Sequence, residues 1–269
     1  MKQERILKLM YCTKSGRVLT SVMLRTDFPK VIVAYLRSKF SKPMIRRYTK
    51  RYGIELDEYV QQKYKSFADF FVRQKESVPF DPQHNHFISP CDGLLSVYPV
   101  NEDSSFSIKG SRYRLCDLVD EPGLTDAFCG GLCLILRLTP SDYHHYSFVD
   151  DGYIFESHYI EGELHSVNPI AGSKYPVYKL NRRSWHIFDT DHFGRLIQVE
   201  VGALAVGYIV NDHENTRVSR GEEMGHFEMC GSSIVILVQK DKLELLPQLD
   251  LSEGHEARVV QGMCIGTAL

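Results

Sequence analysis

The chain has 269 residues, 43% of them apolar and 25% charged, and a formal net charge of −2. This is the composition of a folded protein with a substantial core, in one large domain or two modest ones, and it excludes a disordered chain. The longest apolar runs, Val18–Leu24, Val31–Leu36 and Leu132–Leu136, fall far short of the roughly 18 residues that span a bilayer.

The opening stretch MKQERILKLMYC is interrupted by Lys8 and lacks the apolar centre of a secretion signal. The expected location is therefore the cytoplasm or the cytoplasmic face of a membrane. Seven cysteines without paired CxxC spacing predict reduced, mostly buried thiols. No disulfide frame and no metal site are expected. Charge is unevenly spread: residues 1–51 hold 14 Lys/Arg against 2 Asp/Glu, and the rest hold 18 against 32. So basic an arm is drawn to an anionic membrane or to nucleic acid, or it packs on the acidic body.

Residues 1–80 read as helical, with Leu7, Met10, Val18, Val22, Phe28, Val31, Ile32, Tyr35, Leu36 and Phe40 at roughly helical spacing among Lys and Arg. Pro29 and Pro43 are predicted to divide this stretch into short helices. Such helices suit a membrane interface, and equally a cap on the core. A further helix is predicted at Phe67–Arg73. From about Phe87 the pattern turns to short β runs: a hairpin over Phe106–Leu115 turning at Lys109-Gly110, a buried strand at Gly130–Leu138, and a half-exposed one at Gly152–Ile160. Long glycine-broken runs follow at Leu196–Val210 and Ser233–Val238. The expected fold class is α+β, a basic helical N-terminal part (1–80) packed on a β-rich barrel or sandwich body (81–269).

Three clusters carry chemistry. Ser89–Gly93 (SPCDG) sets Asp92 in a turn before a strand; a turn-capping Asp is the plain alternative. Leu138–Gly152 (LTPSDYHHYSFVDDG) sets His144 and His145 side by side in a polar loop, where histidines are also often inert. Gly231-Ser232-Ser233 places a serine at the mouth of an apolar strand, after the residue that shields its own carbonyl least. Asp92, His144 and Ser232 together are the residue types of a nucleophilic relay, which is recognised by roles and not by chain order. Ser232 has no glycine two residues before or after it and precedes a strand, unlike the strand-to-helix elbow of common lipases and esterases.

FADFFVRQ, SPCDG, TPSDYHHYSFVDDG, HSVNPIA, the Asn181-Arg182 region, VEVGALAVG and RGEEMGHFEMCGSS stand in order along the chain. In this ordered set the sequence resembles the phosphatidylserine decarboxylase proenzymes of the shorter bacterial type. The resemblance implies self-cleavage between Gly231 and Ser232, giving chains of 231 and 38 residues. It implies that Ser232 becomes a covalent pyruvoyl group, which takes the serine amine of the phospholipid as a Schiff base and accepts the electrons left by CO₂. His144 is then the base and a proton donor, and Asp92 its orienting partner. Relatives commonly carry a second histidine three positions after the first, where this chain has Ser147, so His145, Ser147 and His165 are candidate auxiliary residues.

The partners implied are phosphatidylserine, an anionic membrane surface bound peripherally, and the two product chains themselves. No nucleic acid is expected, and a homo-oligomer is left open. The rival readings are an inactive membrane-surface relative and a lipid-acting serine hydrolase using the same three residues.

Overall fold

The structure is a computed structural model. It describes residues 2–26, 28–61, 63–101, 103, 105–108, 111–121, 123–203, 208–228, 232–249 and 255–269. Five helices open the chain: α1 (Lys2–Cys12), α2 (Lys14–Arg25), α3 (Phe28–Arg37), α4 (Lys42–Tyr52) and the short α5 (Phe67–Phe71). Both prolines fall in the first turn of a helix, Pro29 in α3 and Pro43 in α4. A missing N–H is harmless there, because first-turn amides have no partner within the helix. So the prolines begin helices where the sequence suggested breaks. Thr13 caps α2 by accepting from the Gly16 amide, and Ser66 caps α5 by accepting from Asp69. Gly53 ends α4 in the left-handed conformation that a side chain resists.

The body is built on one antiparallel sheet. In spatial order its strands are Thr216–Val218, Gly152–Ile154, Arg183–Thr190, Arg195–Gly202, Ser232–Val238, Leu132–Leu138, Gly93–Pro99 and Ala257–Val259, with His158–Ile160 paired beside Arg183–Thr190. A three-stranded sheet of Tyr208–Asn211, Glu223–Glu228 and His145–Ser147 belongs to the same body, as does another of His86–Ile88, Cys264–Ala268 and Leu243–Leu245. Among the described residues no sheet closes into a barrel; helices and antiparallel sheets together make the mixed α+β fold. The predicted strand over Gly152–Ile160 is two short strands. The predicted hairpin pairs Ser105–Ile108 with Ser111–Arg114; its turn at Lys109-Gly110 lies outside the described residues.

The strand beginning at Ser232, here the serine strand, explains the architecture. All seven of its residues are buried. Ile234, Ile236 and Val238 face one core, shared with Leu134, Leu136, Phe148, Met224 and Phe227 from the neighbouring strands and the three-stranded sheet. Val235 and Leu237 face a second core, shared with Ile135, Val199, Val177, Leu7 and Tyr11. A sheet covered on both sides reads in sequence as an unbroken apolar run, which is what SSIVILV shows.

The helical part is both cap and exposed surface. Leu7 and Tyr11 of α1 are buried in the second core, and the Tyr11 hydroxyl accepts from the Ser166 amide at 3.0 Å. Leu36, Phe67, Phe70 and Phe71 form a third cluster joining α3 to α5. Ile6 and Leu9 of α1, Val18, Leu19 and Val22 of α2, Val31 and Tyr35 of α3, and Phe40 just after it are exposed. Among the described residues no helix is long and apolar enough to cross a membrane.

Because Tyr11 is the anchor of α1, Tyr11→Ala is expected to cost about 3–5 kcal/mol of stability. A lowered thermal midpoint and faster tryptic cutting within residues 1–25 would show it.

Candidate active site

Ser232 is the first residue of its strand. It stands opposite Gly202 on one side and Leu138 on the other. Its side chain is 1% exposed, and its Oγ has no hydrogen-bond partner among the described residues. Six residues beyond Leu138, the same chain reaches His144, which is fully buried. The His144 Nδ1 lies 2.9 Å from the Asp142 carbonyl oxygen. A carbonyl can only accept, so Nδ1 carries the ring proton and Nε2 keeps the lone pair. That Nε2 is buried and also without a partner. The ring packs against Phe71 at a centroid distance of 4.3 Å. Burial lowers its pKa to about 4, so the imidazole is neutral at physiological pH and available as a base.

Asp92 does not touch the His144 ring nitrogens. Its Oδ2 accepts from the Tyr143 amide at 3.3 Å and its Oδ1 from the Gln261 amide at 2.9 Å, with Lys75 Nζ 3.8 Å away. It therefore fixes the backbone immediately before His144. The place a relay would give to a carboxylate is taken by the Asp142 carbonyl. Asp142 is held in turn, Oδ2 accepting from the Thr139 amide at 2.6 Å and Oδ1 paired with Arg258 at 2.7 Å.

The auxiliary candidates separate. His145 stacks between Tyr143 and His226, at 4.6 and 4.9 Å. Its Nδ1 meets Glu223 Oε1 at 2.7 Å and its Nε2 the Val72 carbonyl at 3.2 Å. Both nitrogens are engaged, so this histidine pins strands to the α5 segment. Ser147 donates to the Pro90 carbonyl at 3.4 Å, and its amide does so at 2.9 Å, tying its strand to the Asp92 turn. His165 lies elsewhere, stacked on Tyr175 at 4.4 Å and bonded to Glu163 at 2.6 Å. It approaches the serine strand only indirectly. Asn181 Nδ2 donates both to the His165 carbonyl at 2.7 Å and to that of Gly202, the residue opposite Ser232, at 2.8 Å. Gly231 and Cys230 lie outside the described residues.

Sequence reading gave no role to a polar group on the same face of the sheet. Gln198, Glu200 and Gly202 alternate on the Arg195–Gly202 strand, two residues apart, and so share the face on which Ser232 stands. Glu200 is fully buried. Its Oε1 accepts from Gln198 at 2.9 Å and lies 3.5 Å from His186 Nε2, while Asn211 Nδ2 reaches its Oε2 at 3.5 Å. Burial raises the Glu200 pKa to about 7 and lowers that of His186 to about 3, so both groups are driven toward their neutral forms. The signal was present in the sequence as polar residues at alternate positions of an apolar run. That pattern normally marks a solvent-facing side, and here both sides are covered.

For Glu200 the folded value lies above that of the unfolded carboxyl, 4.5. Its contribution to stability is therefore complete below that pH and is lost as pH rises through about 7. Glu200→Gln, which keeps the acceptor and cannot ionise, is expected to flatten the fall in thermal midpoint between pH 5 and 8, a difference of order 3 kcal/mol at pH 8.

Residues 67–267 match the phosphatidylserine decarboxylase family. The chain is 37% identical to phosphatidylserine decarboxylase proenzyme 2 of Clostridium acetobutylicum, the alignment covering 97% of this chain and 91% of the relative. Identity to the proenzyme of Clostridium botulinum is 36%, over 99% and 93%. With that of Ruminiclostridium cellulolyticum it is 34%, over 98% and 92%. The matched region takes in the Asp92 turn, the His144 loop and the serine strand, and the chain belongs to the phosphatidylserine decarboxylase family.

Proposed function

We propose that the protein cuts itself between Gly231 and Ser232 and then decarboxylates phosphatidylserine to phosphatidylethanolamine and CO₂. One observation carries the reading: Ser232 Oγ and His144 Nε2 are both buried and both unpartnered among the described residues. One is a hydroxyl with a proton to give, the other a lone pair to receive it. Leaving two such atoms unsatisfied costs about 1–3 kcal/mol each, which a folded chain tolerates most readily where chemistry uses them.

In the first stage Ser232 Oγ attacks the Gly231 carbonyl carbon. His144 Nε2 takes the hydroxyl proton and passes it to the departing Ser232 nitrogen, so the amide becomes an ester. Loss of the Ser232 Cα proton expels the Gly231 carboxylate and leaves dehydroalanine. Water then replaces ammonia, and the residue ends as a pyruvoyl group. An orphaned, buried hydroxyl at the head of a strand is a fitting precursor. That group would supply an electron sink for carbon–carbon cleavage.

The chain's own residues do the remainder. Asp92 fixes the backbone that carries His144, and Phe71 and the Asp142 carbonyl fix the ring. With its pKa near 4, His144 serves more readily as a proton acceptor than as a donor in the uncut chain. Purified wild-type protein is expected to give two masses, the smaller lacking a free α-amino group, while Ser232→Ala remains a single chain. An intact, active wild type would overturn the proposal.

The reading extends to a peripheral position on an anionic membrane. It is supported by the excess of positive charge in residues 1–51 and by the exposed Leu9, Val18, Leu19 and Val22 beside it. Cosedimentation with phosphatidylserine-containing vesicles should weaken with added salt. Leu9→Glu with Leu19→Glu should reduce it at least about tenfold, roughly the effect of losing two buried apolar side chains. The thermal midpoint should stay unchanged. Equal binding by the double variant would remove the helical face from the membrane.

A further inference from the structure

Arg73 is 1% exposed and is among the largest fully buried side chains among the described residues. Its guanidinium lies over the rings of Tyr59 and Phe70, at 4.7 and 4.8 Å. It meets no carboxylate among the described residues. Its hydrogen bonds are long ones to two backbone carbonyls, Phe71 at 3.4 Å and Asp142 at 3.5 Å, and its Nε has no partner. Burying a cation without an anion is strongly unfavourable, and an apolar side chain of similar volume would fill the same space at no such cost. Packing therefore does not account for an arginine here.

What Arg73 does touch is the support of His144. The Asp142 carbonyl that it reaches is the one that holds His144 Nδ1 at 2.9 Å. Phe71, two residues before it, lies against the imidazole. We infer that Arg73 is a positioning residue for His144, its fixed charge and its contact with the Asp142 carbonyl holding the imidazole in the form that donates from Nδ1 and keeps a lone pair on Nε2. A proton added at Nε2 would create a second buried cation beside the guanidinium, in surroundings that screen charge poorly.

The other groups around the ring do not supply this control. Asp142, on the same loop, favours protonation of His144, but its carboxylate is engaged by Arg258 and the Thr139 amide. His145, next in the chain, is held by Glu223 and the Val72 carbonyl. The serine strand offers the uncharged Ser232. Burial opposes a charge on His144 most strongly, the hydrogen bond to the Asp142 carbonyl and the Asp142 charge favour it, and Arg73 and then His145 oppose it by smaller amounts.

The inference rests on the reading of His144 as proton acceptor, and the test separates the two. Full-length precursor made by in vitro translation is chased at pH 4.5 to 8.5 and its self-cleavage followed on gels. Wild type and Arg73→Lys, which keeps the charge, should hold their rate down to about pH 5, whereas Arg73→Met should slow at least threefold between pH 7.5 and 4.5, as expected when the pKa of a base near 4 rises by about one unit. In the uncleavable Ser232→Ala background, the NMR titration midpoint of the His144 imidazole should rise on adding Arg73→Met. An unmoved midpoint and an unchanged pH profile in a folded variant would overturn the inference and leave the base reading standing. Normal cleavage by His144→Ala would overturn the base reading, with the midpoint still reporting on Arg73. Should Arg73→Met fail to fold, Arg73→Gln, which can still donate to a carbonyl without the charge, takes its place in both measurements.

Discussion

Two buried polar atoms without a hydrogen-bond partner among the described residues, Ser232 Oγ and His144 Nε2, set the terms for the rest of this molecule. The surrounding structure has to hold each group still. The serine strand does this for Ser232 by lying between two long neighbours with both faces covered. For His144 the work is divided between a carbonyl on the ring proton, an aromatic face against the ring, and a carboxylate on the amide one residue earlier. None of these contacts is strong alone. Together they leave the imidazole one tautomer and one orientation.

Electrostatics in the site follow from the same burial. Burial favours the neutral form of each ionisable group there, moving the pKa of His144 and His186 downward and that of Glu200 upward. Ionised groups persist where a partner is close, as in the Asp142–Arg258 and Arg137–Glu256 pairs. Arg73 breaks that rule, since it has aromatic faces in place of an anion.

Much of this was legible in the chain. The buried strands announced themselves as short apolar runs, and the helix at Phe67 was readable from its aromatics, although it is shorter than expected at the Arg73 end. Asp92, His144 and Ser232 were each found as a polar residue at the edge of an apolar run. The manner of their connection was not legible. Spacing cannot say that Asp92 grips backbone amides and leaves the ring to the Asp142 carbonyl, because that depends on a turn conformation with no pattern of its own. Nor can it show that Gln198 and Glu200 face inward, since alternation looks the same whether the polar side meets solvent or a second sheet. Ser147, conspicuous for what it replaces, proves to be a tie to the Pro90 carbonyl.

The serine strand has a last consequence. It pairs along its whole length with Arg195–Gly202 and with Leu132–Leu138, both of which precede it in the chain. Downstream of it, Ala257–Val259 lies along Gly93–Pro99, Cys264–Ala268 along His86–Ile88, and the Gln261 amide donates to Asp92. A nick ahead of Ser232 would thus free an end and release no fragment. The short piece would be woven through the middle of the longer one, and the two could part only by dismantling the sheet that gives them shape.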